Sequence, residues 1–250
     1  MTERTLAGRR AIVTGGGSGI GEGVARVLAA QGARVTIADI NAEAAARVAD
    51  DIDGEAWVVD LGATHELDAL TLETDILVNN AGLQQVSPLE EFDPQRWRLL
   101  HRIMLEAPFL LIRAALPHMY AQAWGRIINI SSVHGLVASP FKAAYVSAKH
   151  GLEGLSKVVA LEGAEKGVTS MCINPGYVWT PLVEQQLADQ ARAHHLSLDE
   201  VKDKVLLAPQ PIKDFVHASD LGAMVAFVCG PHGAMMSGTN VVADGGWSAR

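Results

Sequence analysis

Three side chains in the stretch from Asn129 to Gly151 have the types and the spacing for proton transfer. Ser132 follows the apolar run R-I-I-N-I, Tyr145 comes next, and Lys149 stands at i+4 from the tyrosine. On a helix, that spacing sets the phenol and the ammonium on one face, one turn apart. A free phenol titrates near pH ~10 and a neighbouring cation favours its ionised form, so the pair predicts a tyrosine able to act as a base near neutral pH. A serine hydroxyl on the turn after a strand can hold a substrate oxygen beside that phenol and stabilise the charge developing there. A tyrosine and a lysine at i+4 also arise on ordinary helices. The serine and an N-terminal glycine motif are what point to a site.

Those residues need a scaffold, and the chain supplies one from its start. Arg10 to Thr14 reads as a short strand, T-G-G-G-S-G-I-G follows, and an amphipathic helix is expected from Glu22 to Gln31. Strand, glycine loop and helix together present backbone N–H groups and a helix N-terminus to a pyrophosphate. Gly15, Gly19 and Gly21 fit G-x-x-x-G-x-G and not G-x-G-x-x-G. The next strand, A-R-V-T-I-A, ends in Asp39, placed for a ribose diol and repelling a 2′-phosphate. Gly16, Gly17 and Ile40 supply no arginine to welcome such a phosphate, so NAD is expected over NADP.

The alternation continues with E-A-W-V-V-D, a short helix near Thr64 to Leu70, and D-I-L-V-N-N-A-G. Asp60 closes one of these strands, within reach of an adenine, and Asn79 to Gly82 close the other with small residues that admit a cofactor. A long helix is predicted from Pro94 to Ala123, then the serine strand, the Tyr145 helix, and a strand V-T-S-M-C-I-N leading into N-P-G-Y-V-W-T-P, where Thr180 lies near a nicotinamide carboxyamide. The polar helical segment from Leu182 to Lys204, closed by Pro209 and Pro211, reads as a lid insertion spanning about 181–213. A helix from Ser219 to Cys229 and the strand T-N-V-V-A complete the chain before a D-G-G-W-S-A-R tail. Near-continuous apolar strands alternating with helices predict a Rossmann-type α/β fold, a doubly wound parallel sheet with helices on both faces, as one domain over residues 1–250.

Composition narrows the function. A net charge of −8, with no Lys or Arg block, argues against a nucleic-acid or anionic-membrane partner. The two cysteines, Cys172 and Cys229, lack metal-ligand spacing, so buried structural roles and no metal site are expected. Without a visible signal peptide or an apolar run of membrane-spanning length, the expected location is the cytoplasm.

With T-G-G-G-S-G-I-G, N-N-A-G, I-S-S, Y-V-S-A-K and N-P-G-Y-V in that order, the chain resembles the short-chain dehydrogenase/reductase family along nearly its whole length. In its second half, I-S-S-V-H-G-L-V-A-S, the lysine before A-A-Y, Q-P-I-K-D-F-V and the ending D-G-G-W-S-A-R look like the branch that oxidises D-3-hydroxybutyrate to acetoacetate. The resemblance implies that Ser132 polarises the substrate oxygen, Tyr145 is the acid/base, and Lys149 binds the nicotinamide ribose. It further implies cofactor contacts from Gly15, Ser18, Gly19, Ile20 and Gly21, from Asp39, Asp60 and Leu61, from Asn80, Ala81 and Gly82, from Tyr145 and Lys149, and from Pro175, Gly176, Val178 and Thr180. It also implies a homotetramer, with the tail near Trp247 at a subunit contact. Two features depart from the pattern. Met104 stands where the family places an asparagine that supports a water beside the lysine, and the segment between Asp60 and Asp75 is short.

Gln84, His134, Lys142 and Gln186 are expected to gather with Ser132 and Tyr145 at the substrate end. A cation and neutral donors there would grip a small carboxylate, which makes a small hydroxy acid the expected substrate. The same chemistry on a 3-oxoacyl, sugar or other hydroxy compound, or a dinucleotide-binding protein without turnover, are the other readings.

Overall fold

The computed structural model describes residues 4–249; the side chains at 182, 185, 186, 193 and 199 stand outside the described residues. Seven parallel strands form its centre: β1 (Arg10–Thr14), β2 (Arg34–Asp39), β3 (Glu55–Val58), β4 (Ile76–Asn79), β5 (Gly125–Ile130), β6 (Val168–Pro175) and β7 (Asn240–Ala243). Their order across the sheet is 3-2-1-4-5-6-7. Strands β4, β5 and β6 are buried at every residue, which is why their sequences run apolar without alternation. The chain winds outward from β1 to β3, then restarts with β4 on the other side of β1. A crevice therefore opens at the carboxyl ends of β1 and β4, where such sheets bind ligands.

One face is covered by α1 (Gly19–Ala30), α2 (Ala42–Asp51) and α8 (Ala218–Cys229), whose Val24, Leu28, Val48, Leu221 and Val225 join Val13, Ile37 and Ile128 in one core. The other is covered by α4 (Ala107–Ala121) and α5 (Ala143–Gly163), with Leu111, Ala115, Met119 and Val159 packed on Ile12, Leu77 and Ile127. Cys172 and Cys229 are free and buried, as expected of structural cysteines. Among the described residues no group of acidic, histidine or cysteine side chains could hold a metal ion, and no helix is long and apolar enough to cross a membrane.

Two elements differ from their sequence reading. The helix expected near Thr64 to Leu70 is a single 3₁₀ turn, Thr64–Glu66. The helix expected from Pro94 to Ala123 is broken into α3 (Pro94–His101), a π-helical turn over Arg102–Glu106, and α4. Pro108 carries no N–H to give the Met104 carbonyl, so one α-helical bond is lost at this point, and the wider turn lies there. The expected lid segment forms α6 (Pro181–His194) and the short α7 (Leu198–Val201), which Ser197 and Glu200 start with a capping box.

Candidate active site

The crevice encloses about 380 Å³ and runs from Asp39 and Asp60 at one end to Lys142 and Trp247 at the other. At its floor, Ser132 leaves the end of β5 in an extended conformation and opens the turn Val133–Gly135, where its Oγ accepts from the His134 N–H (3.1 Å). Its carbonyl is held from behind by Asn174 Nδ2 on β6 (2.8 Å). The helix α5 begins just before Tyr145 and brings Lys149 under it, with Nζ 5.5 Å from the phenol ring centre and donating to the Ile130 carbonyl (2.7 Å). The three expected catalytic side chains therefore meet.

Their electrostatics are less simple than i+4 spacing suggests. Tyr145 is only partly buried as a residue, but its hydroxyl end is enclosed, and that burial pushes the phenol above its ordinary value while the neighbouring Ser132 hydroxyl pulls it down. Lys149 is 4% exposed; burial lowers its ammonium to about 8, with the Glu153 carboxylate pulling the other way. The expected downward shift of the phenol by Lys149 is therefore not what governs Tyr145 in the free site; burial governs it, because desolvation disfavours the charged forms of both groups.

The dinucleotide end is built on glycine. Gly15 and Gly19 take φ of 60° and 55°, and a Cβ on Gly19 would lie 3.3 Å from Thr180 Cγ2, so the loop both turns and passes close to α6. Ser18 caps α1 without a side-chain bond, leaving the helix N–H groups open to an anion. Gly15, Ser18, Gly19 and Ile20 line the crevice, but Gly21 does not. A Cβ at Gly21 would fall 2.1 Å from the Gly15 carbonyl, so loop packing requires a glycine here. Asn80 secures the same loop by donating to the Thr14 and Gly15 carbonyls (2.9 and 3.1 Å), while Thr14 Oγ1 accepts from the Asn80 and Ala81 N–H groups. Thr14 is a supporting residue that sequence reading passed over as the last residue of a strand.

Asp39 accepts from the Gly17 N–H through Oδ2 and the Asn41 N–H through Oδ1, both at 2.9 Å, and lines the crevice. An arginine does lie close by, contrary to what the adjacent sequence implied. Arg47 of α2 donates to the Gly17 carbonyl (3.0 Å), yet its guanidinium is held by Glu22 (2.9 Å). Asp60, Leu61, Ala81, Gly82, Pro175, Gly176, Val178 and Thr180 all line the crevice. Positive-φ glycines, an open helix N-terminus and a carboxylate beyond them fit a nicotinamide dinucleotide.

At the substrate end Gln84, His134 and Lys142 converge, while the Gln186 side chain is outside the described residues. Lys142 is 4% exposed, burial lowers it to about 8, and its Nζ donates to Tyr177 Oη (2.7 Å). Burial, with Lys142 and His150 nearby, lowers His134 to about 3; the imidazole is neutral and bonded to Ser139 Oγ (2.8 Å). The buried Gln84 Nε2 has no partner among the described residues. Sequence reading missed Tyr177, which sits inside the N-P-G-Y motif, and the pocket role of Trp247. The two rings stack at 5.7 Å, and His134 meets the indole edge-on at 5.2 Å. Asp244 fixes the tail by accepting from the Gly246 and Ser248 N–H groups. Met104 is buried against Leu100, Ala144 and Ala148 beside Tyr145, with Sδ facing Gly82. It fills volume and offers no donor.

The short chain dehydrogenase family profile matches residues 9–191. A D-beta-hydroxybutyrate dehydrogenase of Rhizobium meliloti (strain 1021) is 43% identical over 97% of this chain and 99% of its own length. One from Cupriavidus necator is 40% identical over 98% and 100%. A solved structure described as a 2-deoxy-d-gluconate 3-dehydrogenase from Agrobacterium tumefaciens, with NADP bound, superposes with a TM-score of 0.86 at 31% identity over 100% of both chains. Full-length likeness in sequence and fold, around a crevice that joins a glycine loop to serine, tyrosine and lysine, carries one conclusion: this chain belongs to the short-chain dehydrogenase family, oxidoreductases that act on CH–OH groups with a nicotinamide dinucleotide.

Proposed function

We propose that this protein oxidises D-3-hydroxybutyrate to acetoacetate, reversibly, with NAD. The observation that carries the reading is Lys142. Its ammonium is buried at the pocket mouth, bonds a neutral tyrosine, and has no carboxylate partner among the described residues. A buried cation without an anion is costly, and a carboxylate substrate would offset that cost with charge-assisted bonds. The unpartnered Gln84 amide is a second donor in the same crevice, and Gln186, whose side chain lies outside the described residues, is proposed as a third. The relatives named D-beta-hydroxybutyrate dehydrogenase support the same choice.

In this mechanism Ser132 holds the substrate oxygen against Tyr145. Tyr145, as phenolate, takes the hydroxyl proton, and Lys149 holds the phenolate by its positive charge. The nicotinamide, when bound, supplies the hydride acceptor. Tyr177 and Trp247 cover the pocket with apolar surface and help exclude water from it. Asp39, with Arg47 already committed to Glu22, favours a free ribose diol and hence NAD, although a solved relative carries NADP. The residues about 181–213 would act as the lid. The exposed apolar side chains Phe109 on α4 and Val158 and Leu161 on α5 favour assembly as a homotetramer, for which a monomer by light scattering would be a refutation.

One assay series tests the reading. D-3-hydroxybutyrate is expected to be oxidised with NAD and its methyl ester poorly; equal rates on acid and ester would end the carboxylate assignment. NADP is expected to serve less well than NAD, and Asp39→Ala to narrow that gap.

A further inference from the structure

One buried acid behind the site is unused by this mechanism. Glu153 stands at i+4 from Lys149 on α5 and is 5% exposed, facing β6 and the turn Val133–Gly135. Its Oε1 accepts from Asn174 Nδ2 (2.6 Å), the same nitrogen that donates to the Ser132 carbonyl (2.8 Å). Oε2 meets no N–H or O–H donor among the described residues. The turn is shaped around this carboxylate: a Cβ on Gly135 would fall 2.6 Å from Oε1.

Few other charges face the pair. On α5 itself there is Tyr145, with His150 and Lys157 exposed; on β6 there is Cys172, whose thiol is pushed up by burial and by the Glu153 carboxylate beside it and so stays neutral; on the turn there is His134, neutral through burial. Arg98, Arg102 and Glu106, on the helical segments packed against α5, are exposed to solvent, and His101 bonds the Trp97 carbonyl. Glu153 is therefore the anion left to oppose the burial of Lys149.

We propose that Glu153 is a positioning residue for proton transfer at Tyr145: its carboxylate, one helical turn behind Lys149, keeps that lysine cationic and, through Asn174, fixes the backbone of Ser132. The proposal rests on Tyr145 as the base. Met104, packed beside Tyr145, is apolar, so this carboxylate at i+4 is the anionic group that α5 itself supplies to Lys149.

The test is Glu153→Gln, which removes the charge while its amide oxygen can still accept from Asn174. Without the anion, Lys149 loses its proton at lower pH, and Tyr145 then ionises at higher pH. The acid limb of kcat/KM for alcohol oxidation is expected to move up by about half to one pH unit, so that activity falls at pH 7 and recovers at alkaline pH. The same upward shift is expected in the ultraviolet phenolate titration of Tyr145 in cofactor-free protein, isolated by difference from a Tyr145→Phe background. An equal loss at every pH with an unmoved limb would reduce Glu153 to a packing role and overturn the proposal, as would an unchanged profile. Should the amide variant not fold, Glu153→Met is read in the same two ways. If Tyr145→Phe keeps its turnover, the base assignment fails, while the phenolate titration still reports whether Glu153 acts on the phenol.

Discussion

Tyr145→Phe is expected to lower kcat for alcohol oxidation by about 10³-fold, within the range that a positioned acid or base contributes. The change removes one oxygen and leaves the ring, so the edge-on contact with His134 at 6.1 Å and the packing against Ala144 and Ala148 persist. Binding of NAD, followed by quenching of protein fluorescence, should change little, because the glycine loop and Asp39 are untouched. Loss of turnover with retained cofactor binding separates a chemical role from a structural one. A fall of less than tenfold in kcat would remove Tyr145 from the proton-transfer step. His134 is no substitute for it, since burial lowers that imidazole to about 3 and its Nε2 is engaged by Ser139.

Lys142→Ala is expected to cost roughly 2–4 kcal/mol in kcat/KM for D-3-hydroxybutyrate, because an anionic substrate would enter an enclosed pocket without its cation. Turnover of the methyl ester should be nearly unaffected, which distinguishes loss of the clamp from general damage. The pH dependence carries a sign as well. Burial lowers Lys142 to about 8 in the free enzyme, so its positive charge is present below that value and lost as pH rises through it. The kcat/KM for the acid should fall on the alkaline side, and that limb should be missing both for the ester and in Lys142→Ala. Similar losses on acid and ester in the variant would show that Lys142 supports the pocket without gripping a carboxylate. Its bond to Tyr177 Oη makes that alternative concrete, since Tyr177 in turn stacks on Trp247.

How much of this was legible beforehand follows from the range of the interactions involved. The Tyr145 and Lys149 face, the glycine loop after β1, and the apolar strands are set by periodicity and by local conformational demand, which neighbouring residues alone impose. Even Asp39 could be placed, because the length of one strand-loop-helix-strand unit fixes where the next strand ends. The break at Arg102–Glu106 was readable in principle from Pro108, but an apolar run on both sides hid it.

Contacts between distant segments were beyond reach of pattern. Arg47 meets the Gly17 carbonyl because α2 packs beside the glycine loop, and no feature near Gly17 announces it. Gly21 reads in sequence as a cofactor glycine, and the fold adds a packing demand there that pattern does not show, since the Gly15 carbonyl lies where its side chain would be. Tyr177 and Trp247, far apart in sequence, stack on each other only because β6 and β7 are sheet neighbours. The sequence by itself determined which groups of this protein could do chemistry and on which elements they ride, since those follow from residue type and local repeat. The tertiary structure decided their charge states and their partners: how far burial raises Tyr145 and lowers Lys142 and Lys149, and that Glu153 lies behind the site, because desolvation and long-range contact depend on which elements close over one another.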